Sequence, residues 1–162
     1  MENNIVFRKA EKKDVKFIIS LIKQRIEWMN QVGINQWNKT DYLGVYPVSY
    51  FEQNIDYFIV AEIHKIIVAA TALYRLDERW NEQTNSLYVH HLVSDINYKG
   101  VGKKLLEYAE IYAKNNGFES IKLDSAVGNI KLENFYTELG YTPCGTCVDG
   151  PYHGILREKK LN

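Results

Sequence analysis

The stretch HHLVSDINYKGVGKKLL, residues 90–106, joins two hydrophobic periods through a pair of glycines. Its first part belongs to SLYVHHLVS (86–94), rich in β-branched and aromatic residues, which reads as a strand. Beyond it Val101, Leu105, Leu106, Ala109, Tyr112 and Ala113 recur at helical spacing up to a stop at Gly117. Gly100 and Gly102 let backbone amides turn toward a common point. The start of the helix adds unpaired N–H groups and the positive end of its dipole. Lys99, Lys103 and Lys104 supply local positive charge, so a pyrophosphate is the natural ligand. A P-loop would need Gly in place of Asn97 and Ser or Thr in place of Lys104, and a dinucleotide fingerprint would need Gly in place of Leu105. Both fail. A plain glycine turn between strand and helix is the other reading of these residues.

Working outward, Ile5–Phe7 reads as a first strand. Asp14 stands where it can cap a helix whose apolar positions are Val15, Ile18, Ile19, Ile22, Ile26 and Met29, with Gly33 as its stop. An aromatic, irregular stretch from Asn35 to Tyr46 follows, and Pro47 opens a short helix to about Asn54. Tyr57–Ile63 and Ile66–Leu76 form a hairpin about His64-Lys65. Ser120–Ala126 is a strand, Asn129–Leu139 a helix closed by Gly140, and Tyr141–Val148 with Tyr152–Lys159 a closing hairpin. The alternation of types predicts an α+β domain on one mixed sheet, because the central β-α-β-α-β run needs a parallel crossover.

The whole chain, residues 1–162 and 18.9 kDa, suits one domain. Twenty basic residues balance twenty acidic ones. No overall field draws the protein to nucleic acid or to an anionic membrane, so neither is an expected partner. The N-terminal MENNIVFRKAEKKD lacks an apolar run long enough for a leader, and Glu62, His64 and Lys65 break the most apolar segment. Cys144 and Cys147 are too few for a disulfide framework, which points to a reduced, cytoplasmic setting. They stand in a predicted strand or hairpin, whereas redox dithiols sit at a helix N-terminus. With only His153 nearby, they fall short of a zinc ligand set, and no metal is expected.

Downstream, GNIKLENFYTELGYTPCG (128–145) places Asn129 and Tyr136 seven residues apart, two turns along one helical face. Both could reach one extended ligand. The bland alternatives are a helix cap for Asn129 and a core tyrosine for Tyr136. In combination with the glycine turn, the two segments resemble the signatures of the GNAT acetyltransferases. Asn97, Gly100 and Gly102 stand at the places of the family's Arg/Gln-x-x-Gly-x-Gly/Ala cofactor motif, with Asn97 a departure from Arg or Gln. Asn129, Leu132, Phe135, Tyr136, Gly140 and Tyr141 stand at places of its second signature.

The resemblance implies a GNAT-type mixed, mostly antiparallel sheet with helices on both faces, and acetyl-CoA as cosubstrate. Binding then falls to Leu92, Val93, Asn97, Lys99, Gly100, Val101, Gly102, Lys103, Asn129 and Tyr136. A bulge at about His91–Val93 offers free amides to the pantetheine arm and the acetyl carbonyl. The implied reaction is acetyl transfer to a primary amine, with an amide at Leu92 or Val93 facing the oxyanion and Tyr136 as general acid. The amine must lose a proton first. His90, His91, Glu62 and Asp77 are candidate bases, with His91 in front. Strand alternation lets at most one of the two histidines face the acceptor. The acceptor, a small-molecule or peptide amine, is expected between the first two helices and the closing strands, with Trp37, Tyr42, Tyr46 and Pro47 as walls. Homodimers are implied by resemblance alone. The alternative is a non-catalytic CoA- or metabolite-binding module of the same fold.

Overall fold

The computed structural model describes residues 4–162. The first three residues, part of the stretch read as lacking a leader, lie outside them. Seven strands form one sheet: β1 (Ile5–Lys9), β2 (Phe58–Ile63), β3 (Ile66–Tyr74), β4 (Ser86–Ser94), β5 (Ser120–Ala126), β6 (Thr142–Asp149) and β7 (Tyr152–Lys160). Their spatial order is β1-β2-β3-β4-β5-β7-β6, and every neighbouring pair is antiparallel except β4–β5. The helices are α1 (Val15–Val32), a single turn α2 (Tyr42–Val45), α3 (Val48–Asn54), α4 (Val101–Asn115) and α5 (Ile130–Glu138). None of the described helices is long and apolar enough to cross a membrane.

Two apolar layers sandwich the sheet, as the implied fold requires. On one face α4 buries Val101, Leu105, Leu106, Ala109 and Ala113 against Ile59, Ala61 and Ile63 of β2. On the other, Ile18 and Ile22 of α1 and Phe51 of α3 pack on Phe58 and Val60 of the same strand. That two-sided burial explains why β2 reads as a nearly unbroken apolar run rather than an alternating one.

Three local features position the site. First, β4 and β5 pair only through Ser86–Tyr88 and Ser120–Lys122. Beyond Tyr88 the two strands part, and a cleft opens between them. Second, β4 carries a bulge within the expected segment. Ala72 faces His90 and Ala70 faces Val93, so Thr71 alone opposes both His91 and Leu92. His91 takes a left-handed backbone with φ 56°, and the Thr71 hydroxyl donates to the His90 carbonyl at 2.9 Å. The bulge cancels strand alternation there. Both histidines therefore lie on one side of the sheet, with ring centres 5.9 Å apart, contrary to the expectation of opposite faces.

Third, Asp14 does not cap α1 through its side chain. Its carboxylate instead accepts the Glu11 N–H at 2.7 Å and takes a two-point bond from Arg8, at 2.7 and 3.0 Å. Arg8 also bonds Glu62 on β2. A charged two-point partner outcompetes a neutral helix amide.

Candidate active site

A cleft of about 930 Å³ runs from the glycine turn between α1 and α5 to the β6–β7 hairpin. At one end Gly100 has φ 84°, a backbone that only glycine adopts without strain. A Cβ on Gly102 would stand 3.3 Å from the Ser94 hydroxyl, so the turn lies tight against the end of β4. Lys99, Gly100 and Gly102 line the cleft, as do Leu92 and Val93. The other expected cofactor residues in this segment do not line it with their side chains. Val101 is a core residue, Lys103 leans toward Glu107 at 3.9 Å, and Asn97 is exposed outside the cleft. The backbone amides of Val101 and Lys103 stand in the first turn of α4, where no helical carbonyl precedes them.

Arg25, which sequence reasoning passed over, lines the cleft beside this turn. Its Nη2 donates to the Ser94 carbonyl at 2.6 Å and lies 3.3 Å from the Ser94 hydroxyl, and its guanidinium stacks on Trp28 at 4.9 Å. Burial lowers its pKa, opposed by the charge of Asp95. The signal was present. Arg25 falls between Ile22 and Met29 on the core-facing stripe of α1, where a cation is out of place.

Asn129 and Tyr136 both line the cleft. Asn129 is the cap of α5, accepting the Leu132 N–H at 3.1 Å and donating to Gln36 at 3.3 Å. Tyr136 is buried, and burial with the nearby Asp124 charge raises its pKa, with Arg157 opposing, so it holds its proton at neutral pH. Its hydroxyl has no hydrogen bond among the described residues, yet it is not sealed off, and it opens onto the cleft.

The far end is aromatic and ionic. Trp37, Tyr42 and Tyr46 form the expected wall, with Trp37 stacked on Tyr42 at 4.5 Å. Pro47 stands outside the cleft at the cap of α3. His91 is enclosed. Tyr42 bonds its Nδ1, Tyr50 lies 2.9 Å from its Nε2, and Tyr50 in turn meets Tyr74 at 2.8 Å. Burial, with His90 and Arg79 adding, pushes its pKa down to about 3. His91 is therefore neutral and both its nitrogens are engaged, which suits a brace for the bulge better than a base. Glu62 is bonded to Arg8 and lies away from the cleft.

His90 faces the cleft, with its Nε2 2.9 Å from Asp77. Burial works against the Asp77 charge, but the bonds and charges of His90 and Arg79 prevail and hold it below the usual carboxylate range. Arg79 reaches Asp149 at 3.0 Å and Asp124 at 3.4 Å, and the Tyr152 hydroxyl also donates to Asp124. Asp77, His90 and Asp124 approach one another closely enough to hold an ion, but protein donors already occupy their oxygens. Cys144 and Cys147 lie on β6, where burial raises both thiols, the opposite of activation.

The model of the Acetyltransferase (GNAT) family matches residues 21–141. This chain is a GNAT family member. The match takes in the bulge, the glycine turn and the Asn129–Tyr136 helix together. The GNAT chain is 24% identical over 159 residues to the uncharacterized N-acetyltransferase YesJ of Bacillus subtilis, covering 91% of this chain and 86% of that one. Its fold is similar to that of the PaiA N-acetyltransferase of Thermoplasma acidophilum, solved with coenzyme A, with a TM-score of 0.78, 20% identity, and 97% and 99% of the two chains covered. A GNAT acetyltransferase of Streptococcus agalactiae gives a TM-score of 0.79 at 18% identity, covering 98% of this chain and 96% of that one.

Proposed function

We propose that this chain moves an acetyl group from acetyl-CoA to a primary amine by direct attack. The parting of β4 from β5 with the glycine turn at its open end carries this reading, because it offers a slot for an extended thiol and a cradle for its pyrophosphate. The pantetheine arm runs along the freed edge of β4, whose backbone groups beyond Tyr88 have no partner on β5. The pyrophosphate meets the amides of Val101, Gly102 and Lys103, with Lys99 and Arg25 beside it. Coenzyme A in the Thermoplasma relative supports the same cosubstrate here.

An alkyl amine with a pKa near ~10 arrives mostly protonated, and the aromatic wall suits that cation. Once neutral, its nitrogen attacks the thioester carbonyl. The oxyanion forms at the bulge, where the amide of Leu92 or Val93 can face it. Collapse breaks the C–S bond, and Tyr136 offers the departing sulfur a proton. Asn129 holds the start of α5 and so keeps Tyr136 aimed at the cleft.

The test pairs a melting curve with a transfer assay. Saturating acetyl-CoA should raise the melting temperature by about 5–10 °C, less with a fragment lacking the pyrophosphate. Thiol release should then depend on an added primary amine. A stabilising shift without transfer to any amine would leave a binding module, and no shift at millimolar acetyl-CoA would remove the reading altogether.

A further inference from the structure

We infer that His90 is the general base that deprotonates the acceptor amine, and that Asp77 is its positioning residue. The inference rests on the acetyltransferase reading above. With alternation cancelled at His91, both histidines face the same side, but their neighbours differ. Tyr42 and Tyr50 close both nitrogens of His91. His90 has a single partner, Asp77, which is a carboxylate and can only accept. In the neutral ring Nε2 of His90 therefore carries the hydrogen, which leaves the lone pair on Nδ1. That atom has no hydrogen-bond partner among the described residues and is not sealed off.

Asp77 is built to hold that tautomer. Its side chain is 6% exposed, against 18% for His90. One carboxylate oxygen receives the Arg79 N–H at 2.9 Å, in a turn made by the loop itself, and the other receives His90. The Arg79 side chain is directed elsewhere, to Asp124 and Asp149, so it does not compete for Asp77. The ring of Tyr74 stands edge-on to His90 at 5.4 Å and limits its rotation. The charged and titratable groups around His90 are thus Asp77 and Arg79 from the β3–β4 loop, Tyr74 from β3, His91 from β4 and Asp124 from β5.

The distance to the reaction is short. Leu92 follows His90 by two residues, so the chain holds them within about 7 Å of each other. An amine attacking a carbonyl held at the Leu92 or Val93 amide lies within reach of Nδ1, directly or through one water. The proton count closes. The ammonium loses one proton to His90 and becomes the nucleophile. After the C–N bond forms and the C–S bond breaks, the nitrogen loses a second. One of the two goes to solvent through His90, and the thiolate regains one proton by way of Tyr136, giving amide, thiol and one released proton.

The test uses His90→Ala, His90→Gln and Asp77→Asn in the full chain. Acetyl transfer is followed with the best acceptor from a panel of alkylamines, diamines, amino acids and a lysyl peptide. His90→Ala and His90→Gln should lower kcat by about 10²-fold while acetyl-CoA affinity by calorimetry changes less than about twofold. Free imidazole should restore turnover to the His90→Ala variant, in which the ring has left a space, and not to His90→Gln. Asp77→Asn should lower kcat by about tenfold with the KM for acetyl-CoA unchanged, and imidazole should not rescue it.

A second arm needs no activity. Long-range nitrogen–proton NMR of the imidazoles should show the His90 ring protonated on Nε2 in the wild type. An Nδ1-protonated ring, or full turnover in His90→Gln, would overturn the assignment. Wild-type protein that binds acetyl-CoA but transfers to nothing would instead sink the reading on which it rests, while the NMR arm still decides the tautomer.

Discussion

The hydroxyl of Tyr50 stands 2.9 Å from Nε2 of His91, while the Tyr42 hydroxyl bonds the opposite nitrogen of the same ring. A neutral imidazole has one donor and one acceptor nitrogen, so two hydroxyls satisfy it fully. The ring also packs among Tyr46, Phe51 and Phe58, which disfavours its charged form. The folded value of about 3 lies below the unfolded value near ~6.5. In that window the unfolded chain binds the extra proton, so stability is complete above about pH 6.5 and falls as the pH drops toward 3. Between pH 7 and 5 the loss should be about 2 kcal/mol, or roughly 4–8 °C in melting temperature. His91→Phe should flatten that slope. Equal slopes in the two proteins would mean that another group is responsible.

Tyr136 offers a cleaner separation of chemistry from stability. Its hydroxyl has no protein partner among the described residues, so Tyr136→Phe leaves the packing of its ring on Phe135 and Tyr141 intact. The melting temperature should stay within about 1–2 °C. Turnover should fall by about 10²-fold if the tyrosine protonates the leaving thiolate. The binding of acetyl-CoA, measured by calorimetry, should hold. Unchanged turnover would take Tyr136 out of the acid role.

What could be read in advance divides by range. Ser86–Ser94, the glycine turn and α4 were legible because the hydrophobic period switches from strand to helix across Gly100 and Gly102. The left-handed pair His64 and Lys65 was legible as a tight turn between two apolar runs. The orientation of His90 and His91 was not, because one extra residue in β4 reverses the alternation rule locally. Nor was the ionic end of the cleft, where Arg79 meets Asp124 and Asp149 from 45 and 70 residues away. Asp14 was read as a helix cap from its place before an apolar period, and a tertiary partner, Arg8, took its carboxylate.

Arg25 lines the cleft beside the glycine turn, whereas Asn97, at the Arg/Gln place of the family motif, lies outside it. Its Nη2 and the Cβ position of Gly102 each lie 3.3 Å from the Ser94 hydroxyl, which keeps them within about 7 Å of each other. At an effective dielectric of about 20, one charge pair at that distance is worth roughly 2 kcal/mol before screening. Arg25→Gln should weaken acetyl-CoA by about tenfold and leave acetyl-pantetheine, which has no pyrophosphate, unaffected. Equal losses for the two ligands would mean that Arg25 acts by supporting β4 through Ser94 rather than by its charge.

Asp14 tests the fold away from the cleft. Its side chain is 3% exposed and ties the start of α1 to Arg8 of β1, which continues to Glu62 of β2. The Arg8 bond lowers its pKa despite burial, with the Glu11 N–H also contributing. Asp14→Asn should cost about 2 kcal/mol at pH 7, because charge-assisted bonds are lost from a buried position. The stabilisation is complete above the unfolded value near ~3.9 and disappears as the pH falls through the lower folded value. Denaturant curves of the wild type and Asp14→Asn should therefore be far apart at pH 7 and draw together in acid, with acetyl transfer at pH 7 unchanged. A gap that stays constant into acid would show that the asparagine disrupts packing, and that the charge of Asp14 contributes little.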